Sequence, residues 1–122
     1  MRESIEWRHV GALDDIPRLG ARRLSFTLHG KPLAVFRTAS DEVYALVDEC
    51  PHRGGPLSEG LISGATVACP LHNWVINLAD GCAVLPDEGA CGAIPVKIEN
   101  GEIYIGLAKT ARLAGAFVGE EG

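Results

Sequence analysis

The sequence predicts an all-β domain, an antiparallel sandwich or barrel with a loop-rich insert in its middle third. Three observations carry that expectation. Short apolar runs of strand length recur along the chain, and fifteen glycines and seven prolines stand between them in 122 residues. Helical periodicity stays weak until the last dozen residues.

Ile5–Val10 is the first expected strand, closed by the turn-like Asp14-Asp15-Ile16-Pro17. Leu24–Leu28 and Leu33–Arg37 flank His29-Gly30-Lys31-Pro32, which predicts a hairpin. Val43–Val47 follows the turn residues Ser40-Asp41-Glu42. Ala65–Ala68 and Val75–Leu78 are expected strands of the insert, which runs from about residue 48 to 82. The last hairpin is Val96–Glu99 and Glu102–Leu107 about Asn100-Gly101, two residues that tolerate positive φ. The Ala and Leu content of Lys109–Phe117 suits a short helix, whereas Gly115, Gly119 and Gly122 favour a frayed tail over residues 109–122.

A chain of this length suits one domain, and roughly two-thirds of its unfolded surface can be buried without disulfide support. Hydrophobic residues at 47% and charged residues at 22% match an ordinary globular protein. The net charge of −5, with no basic run, argues against a nucleic-acid partner, because phosphate binding needs a basic face. Met1-Arg2-Glu3-Ser4-Ile5-Glu6-Trp7 has no apolar leader core, and no stretch approaches the roughly 20 apolar residues of a membrane span. The expected location is the cytoplasm, with no membrane partner. There, four cysteines point to metal ligands or buried thiols before disulfides.

Two segments carry chemistry: Cys50-Pro51-His52-Arg53-Gly54-Gly55-Pro56-Leu57 and Cys69-Pro70-Leu71-His72-Asn73-Trp74. The spacing is Cys-x-His, sixteen residues, then Cys-x-x-His. Each segment offers one thiolate and one imidazole, a metal-binding set. The glycines and prolines beside them bend the backbone so that side chains and amides can converge. Unrelated buried residues would not repeat both ligand types in matched loops. A tetrahedral Cys₂His₂ zinc site and a binuclear iron–sulfur site both remain open on this spacing. Zinc motifs usually pair like with like, whereas a cluster with two thiols on one iron and two imidazoles on the other demands mixed loops.

The paired segments resemble the motif of the Rieske [2Fe–2S] ferredoxins. The likeness continues in Trp7-Arg8-His9-Val10 with Asp15-Ile16-Pro17, and in Ile94-Pro95-Val96-Lys97-Ile98 through Ile103-Tyr104-Ile105. Cys69-Pro70-Leu71-His72-Asn73-Trp74-Val75-Ile76, Asp80-Gly81 and Asp87-Glu88-Gly89 resemble one branch more closely. That branch is the small subunit of assimilatory NAD(P)H-dependent nitrite reductase. The resemblance implies a single Rieske domain over residues 1–108, with a cluster-binding subdomain at about 48–82 and a tail at 109–122. It implies that Cys50 and Cys69 hold the buried iron, and His52 and His72 the outer one.

On that implication, two ferric ions, two sulfides and two thiolates sum to zero. An electron then joins a neutral centre, which places Rieske potentials at roughly −150 to +300 mV. High-potential relatives add a disulfide between the loops and hydroxyl donors near the cluster. The corresponding positions here are Gly55 and Leu71, and Trp74 and Ile76. The expected potential is therefore in the lower part of that window.

No dinucleotide loop, nucleophilic triad or paired-carboxylate site is written in the chain, which suits the electron carrier that the resemblance implies, with no substrate-transforming site of its own expected. The resemblance implies an oxidoreductase component whose partner is a large flavin- and sirohaem-bearing subunit reducing nitrite to ammonium. The alternatives are a free Rieske ferredoxin serving a ring-hydroxylating dioxygenase-type oxygenase, and a zinc-bearing interaction module. Cys82 and Cys91 read as small, partly buried thiols. His9 and His29 read as surface residues. Trp74 could cover the site or belong to the core, and Arg53 could meet a partner or stand as a plain surface arginine.

Overall fold

Leu33-Ala34-Val35-Phe36 is apolar at four consecutive positions, a pattern that suits a strand buried on both faces. The computed structural model, which describes residues 5–50, 55–70, 74–84, 89–108 and 113–115, places this run in the middle of the domain. Eleven strands form among the described residues: β1 (Ile5–Ala12), β2 (Gly20–Leu28), β3 (Lys31–Arg37), β4 (Val43–Val47), β5 (Leu61–Ser63), β6 (Thr66–Ala68), β7 (Val75–Asn77), β8 (Ala93–Ile94), β9 (Val96–Glu99), β10 (Glu102–Ala108) and β11 (Leu113–Gly115). They make a five-stranded sheet in the order β11-β2-β3-β4-β8 and two three-stranded sheets, β1-β10-β9 and β5-β6-β7. Every pairing is antiparallel. The fold is all-β, as expected; among the described residues the only helical pieces are short 3-10 turns at Leu13–Asp15 and Leu57–Glu59.

The five-stranded sheet separates two cores. Leu33 and Val35 of β3 join Ile16, Phe26, Ala45, Ile103, Ile105 and Leu107 on one face. Ala34 and Phe36 join Leu46, Cys50, Leu57, Val67, Cys69, Ile76 and Leu78 on the other. The strand period of two sends alternate residues of one strand into different cores. Full burial of each large side chain contributes about 1.5–3 kcal/mol, so both layers are tied to β3.

Both expected hairpin turns form. His29 and Gly30 have φ of 51° and 82°, and Asn100 and Gly101 have 54° and 77°. Positive φ at both central residues is the two-residue turn whose twist matches the flanking strands. Arg37 ends β3 as a nearly buried cation. Its guanidinium donates to the carbonyls of Leu13 (3.0 Å) and Ile16 (2.6 Å) and to the Asp41 carboxylate (2.9 Å).

The C-terminal expectation needs correction. Residues 113–115 form a strand, with Leu113 opposite Leu28 and Gly115 opposite Phe26, where helix or fraying was expected. Pairing along the otherwise open edge of β2 satisfies its backbone groups, and that gain outweighs the weak helical preference. The remainder of Lys109–Phe117 lies outside the described residues. Strands β5 and β8, of three and two residues, were not anticipated because they are too short to show alternation. No helix among the described residues is long and apolar enough to cross a membrane.

Candidate metal centre

Cys50 follows β4 after a bend, and Cys69 immediately follows β6. Each opens a loop of the same form. The Cys50 N–H donates to the Gly55 carbonyl at 2.8 Å, and the Cys69 N–H donates to the Trp74 carbonyl at 2.7 Å. In both segments a bond from residue i to residue i+5 draws the two ends together. His52 and His72 lie on those intervening stretches, outside the described residues, as do Pro51, Arg53, Leu71 and Asn73.

The two cysteines share the second core. Cys50 is 3% exposed and Cys69 1%, neither in a disulfide, with Leu57, Val67 and Ile76 fully buried in the same cluster. Trp74 packs against that cluster, and Ile76 has no exposed surface, so neither position offers a hydroxyl to the site. Gly60 brings the loops together. A Cβ built on it would stand 2.1 Å from the Ala68 carbonyl oxygen, one residue before Cys69. Only a glycine lets the exit of the first loop lie that close to the entry of the second.

Two further groups lie beside Cys50, of which the sequence did not single out Asp48. Asp48 is fully buried and accepts hydrogen bonds from Arg23 and Ser58. Cys91 lines a groove with Cys50, Lys31 and Glu49. Burial pushes the Cys91 thiol up to about 11, and the neighbouring Cys50 and Asp48 add to the rise. Cys91 is part-buried, as expected, but Cys82 is exposed. Neither forms a disulfide.

Behind the second loop, Asp80 and Gly81 make a tight turn. Asp80 Oδ1 accepts the Cys82 N–H at 2.9 Å, and Gly81 adopts φ of 75°. The Cys91 N–H donates to the Gly81 carbonyl at 2.9 Å, the Ala83 N–H to Gly89 at 2.9 Å, and the Val84 N–H to Val75 at 2.8 Å. These bonds tie residues 80–84 and 89–91 to β7. Asp87 and Glu88 lie outside the described residues.

Among the described residues no three His, Cys, Asp or Glu side chains converge as a metal site. The family model of the Rieske [2Fe-2S] domain matches residues 6–100. The chain belongs to the Rieske family. Its cofactor is therefore a [2Fe–2S] cluster, and the chain is an electron-transfer component of an oxidoreductase. Two buried thiols, Cys50 and Cys69, neither in a disulfide, are donors whose chemistry fits that group. The zinc module is set aside.

This Rieske domain is 33% identical over 103 residues to the ferredoxin CarAc of Metapseudomonas resinovorans, covering 81% of this chain and 92% of that one. It is 33% identical over 106 residues to the ferredoxin component of a naphthalene 1,2-dioxygenase system of Pseudomonas putida, covering 86% and 99%. Among solved structures, the complex of reduced oxygenase and oxidized ferredoxin in carbazole 1,9a-dioxygenase contains a match with TM-score 0.71 and 32% identity, covering 81% of this chain and 91% of the other. The fold also matches a Mycobacterium tuberculosis protein described as an NADH-dependent nitrite reductase small subunit. There the TM-score is 0.77 at 21% identity, covering 88% of this chain and all of the other.

Proposed function

We propose that Cys50, His52, Cys69 and His72 hold the cluster, and that this chain is the small subunit of an NAD(P)H-dependent nitrite reductase. When bound, the cluster accepts and returns one electron at a time. The chain's own residues hold the two thiols dry, and His52 and His72 would complete the donor set from the segments that the Cys50–Gly55 and Cys69–Trp74 hydrogen bonds close. A nicotinamide delivers a two-electron hydride, so a flavin on another polypeptide must divide it. Nitrite reduction needs several electrons in sequence and a catalytic iron centre, which a sirohaem-bearing partner supplies.

The observation that carries the branch assignment is the unit behind the second loop. Trp74, Val75, Ile76, Asp80, Gly81 and Gly89, residues in which the nitrite-reductase likeness resides, belong to one hydrogen-bonded structure around β7. A second reading, a free ferredoxin feeding a ring-hydroxylating oxygenase, is favoured by the 33% identity to dioxygenase ferredoxins over most of both chains.

Reconstitution separates them. Adding this protein to a flavin- and sirohaem-bearing large subunit purified without it should restore nitrite-dependent NAD(P)H oxidation. Failure there, with turnover of a dioxygenase oxygenase and its reductase instead, overturns the first reading in favour of the second.

A further inference from the structure

Asp48 is the one carboxylate among the described residues with no exposed surface, and it stands two positions before Cys50. Its side chain is held from two directions. Arg23 Nε donates to Oδ2 at 2.8 Å from β2, while Ser58 donates its N–H to Oδ1 at 2.7 Å and its hydroxyl to Oδ2 at 2.6 Å from the 3-10 turn. The Asp48 N–H donates to the Pro32 carbonyl at 2.8 Å. These contacts span the first loop and join its entry to its exit.

A loop clasp does not require a charge. An asparagine would still accept the Ser58 N–H through its amide oxygen while losing the acceptor that faces Arg23, and burying an anion costs free energy unless it is paired and fully hydrogen-bonded. The pairing is lopsided, because Arg23 is half exposed whereas Asp48 is sealed. Water screens the cation more than the anion, which leaves the buried end of the pair net negative. Lys31 and Glu49, the nearby charges on the groove, are exposed and paired to each other at 3.2 Å.

We propose that Asp48 is a positioning residue that also lowers the reduction potential of the cluster, by fixing a buried negative charge beside the Cys50 thiolate. An added electron is repelled by that charge. The inference rests on Cys50 being a ligand and is independent of which partner the protein serves.

The test is the midpoint potential at pH 7 and low salt of the purified protein and three variants. Asp48→Asn keeps the shape and removes the charge; its one-electron reduction equilibrium should shift by about tenfold towards the reduced form, 59 mV upward. Arg23→Gln leaves the anion less compensated and should shift it the other way, by about threefold because the arginine is half exposed. Ser58→Ala loosens the clasp without changing charge and should stay within about twofold of wild type. Opposite signs for Asp48→Asn and Arg23→Gln support the proposal. Shifts of one sign in both, no shift in either, or a Ser58→Ala shift that reproduces Asp48→Asn overturn it. If Asp48→Asn fails to take up iron, Arg23→Gln and Ser58→Ala decide alone. A wild type without two irons and a Rieske spectrum overturns the ligand assignment as well. A wild type with them and unmoved variants overturns only the role of Asp48.

Discussion

Gly60 and Ala68 approach so closely that a methyl group on the glycine would stand 2.1 Å from the Ala68 carbonyl oxygen. That contact sets the exit of the Cys50 segment against the strand leading into Cys69. Backbone cannot yield as the tip of a flexible side chain does, so Gly60→Ala forces the loops apart. We expect a loss of about 2–4 kcal/mol in chemical denaturation and reduced iron content per chain. A variant with wild-type stability and full iron would show that the loops do not depend on this approach.

Ligand substitutions follow from the proposed donor set. Cys69→Ser should lose the cluster, and with it much of the order of the insert, because metal binding and local folding are coupled. His52→Ala should abolish the Rieske spectrum while the β core stays soluble. Visible absorption unchanged in His52→Ala would remove that residue from the donor set.

Leu57 is fully buried in the core that contains both Cys50 and Cys69. Leu57→Ala should cost about 2–5 kcal/mol of stability and leave a cavity next to the thiols. The check is urea denaturation together with the rate at which a chelator bleaches the protein. A slower or unchanged bleaching rate would separate the core from cluster retention.

Asp41 is held well below the usual carboxylate range, at about 2, by hydrogen bonds from Arg18 and then Arg37. Its ordinary value is 3.8. Because the folded value is the lower one, the stabilisation is complete above pH 4 and fades as pH falls to about 2. The melting temperature of Asp41→Asn should therefore lie below wild type at pH 6 and converge on it near pH 2. A constant gap across that range would assign the effect to shape and not to charge.

Thiol labelling should distinguish the two cysteines outside the motif. Cys82 is exposed, whereas Cys91 is part-buried with its thiol pushed up to about 11. At pH 8 only about one Cys91 in a thousand carries the reactive thiolate, so iodoacetamide should modify Cys82 first by a wide margin. Peptide mapping over time reads the order directly.

Much of the scaffold could be read from local signals. His29-Gly30 and Asn100-Gly101 specify their turns through two consecutive positive φ values, and Val43–Val47 appears as a strand with the expected ends. The family was legible in the matched Cys-x-His and Cys-x-x-His segments for the same reason, since their chemistry lies in neighbouring residues. What escaped was non-local. β11 exists because β2 offers a free edge some 85 positions earlier, which no helical propensity at Lys109–Phe117 could report. Asp48 looks like any acidic residue before a turn until Arg23 and Ser58 close on it from 25 and 10 residues away.

β3, with one core on each side, has an uncommon freedom. In a strand with one wet face, a slip of one residue would expose its apolar half and be rejected by water. Sliding Leu33-Ala34-Val35-Phe36 by one place merely exchanges one apolar set for another, so water is indifferent to the choice. Alignment must instead be dictated from the strand's two extremities: a rigid two-residue reversal at His29-Gly30 and a cation at Arg37 that has matching oxygens in only one place. Changes at those distant corners would carry Phe36 out of the layer that encloses Cys50 and Cys69, so the metal end inherits its geometry from residues that never touch it.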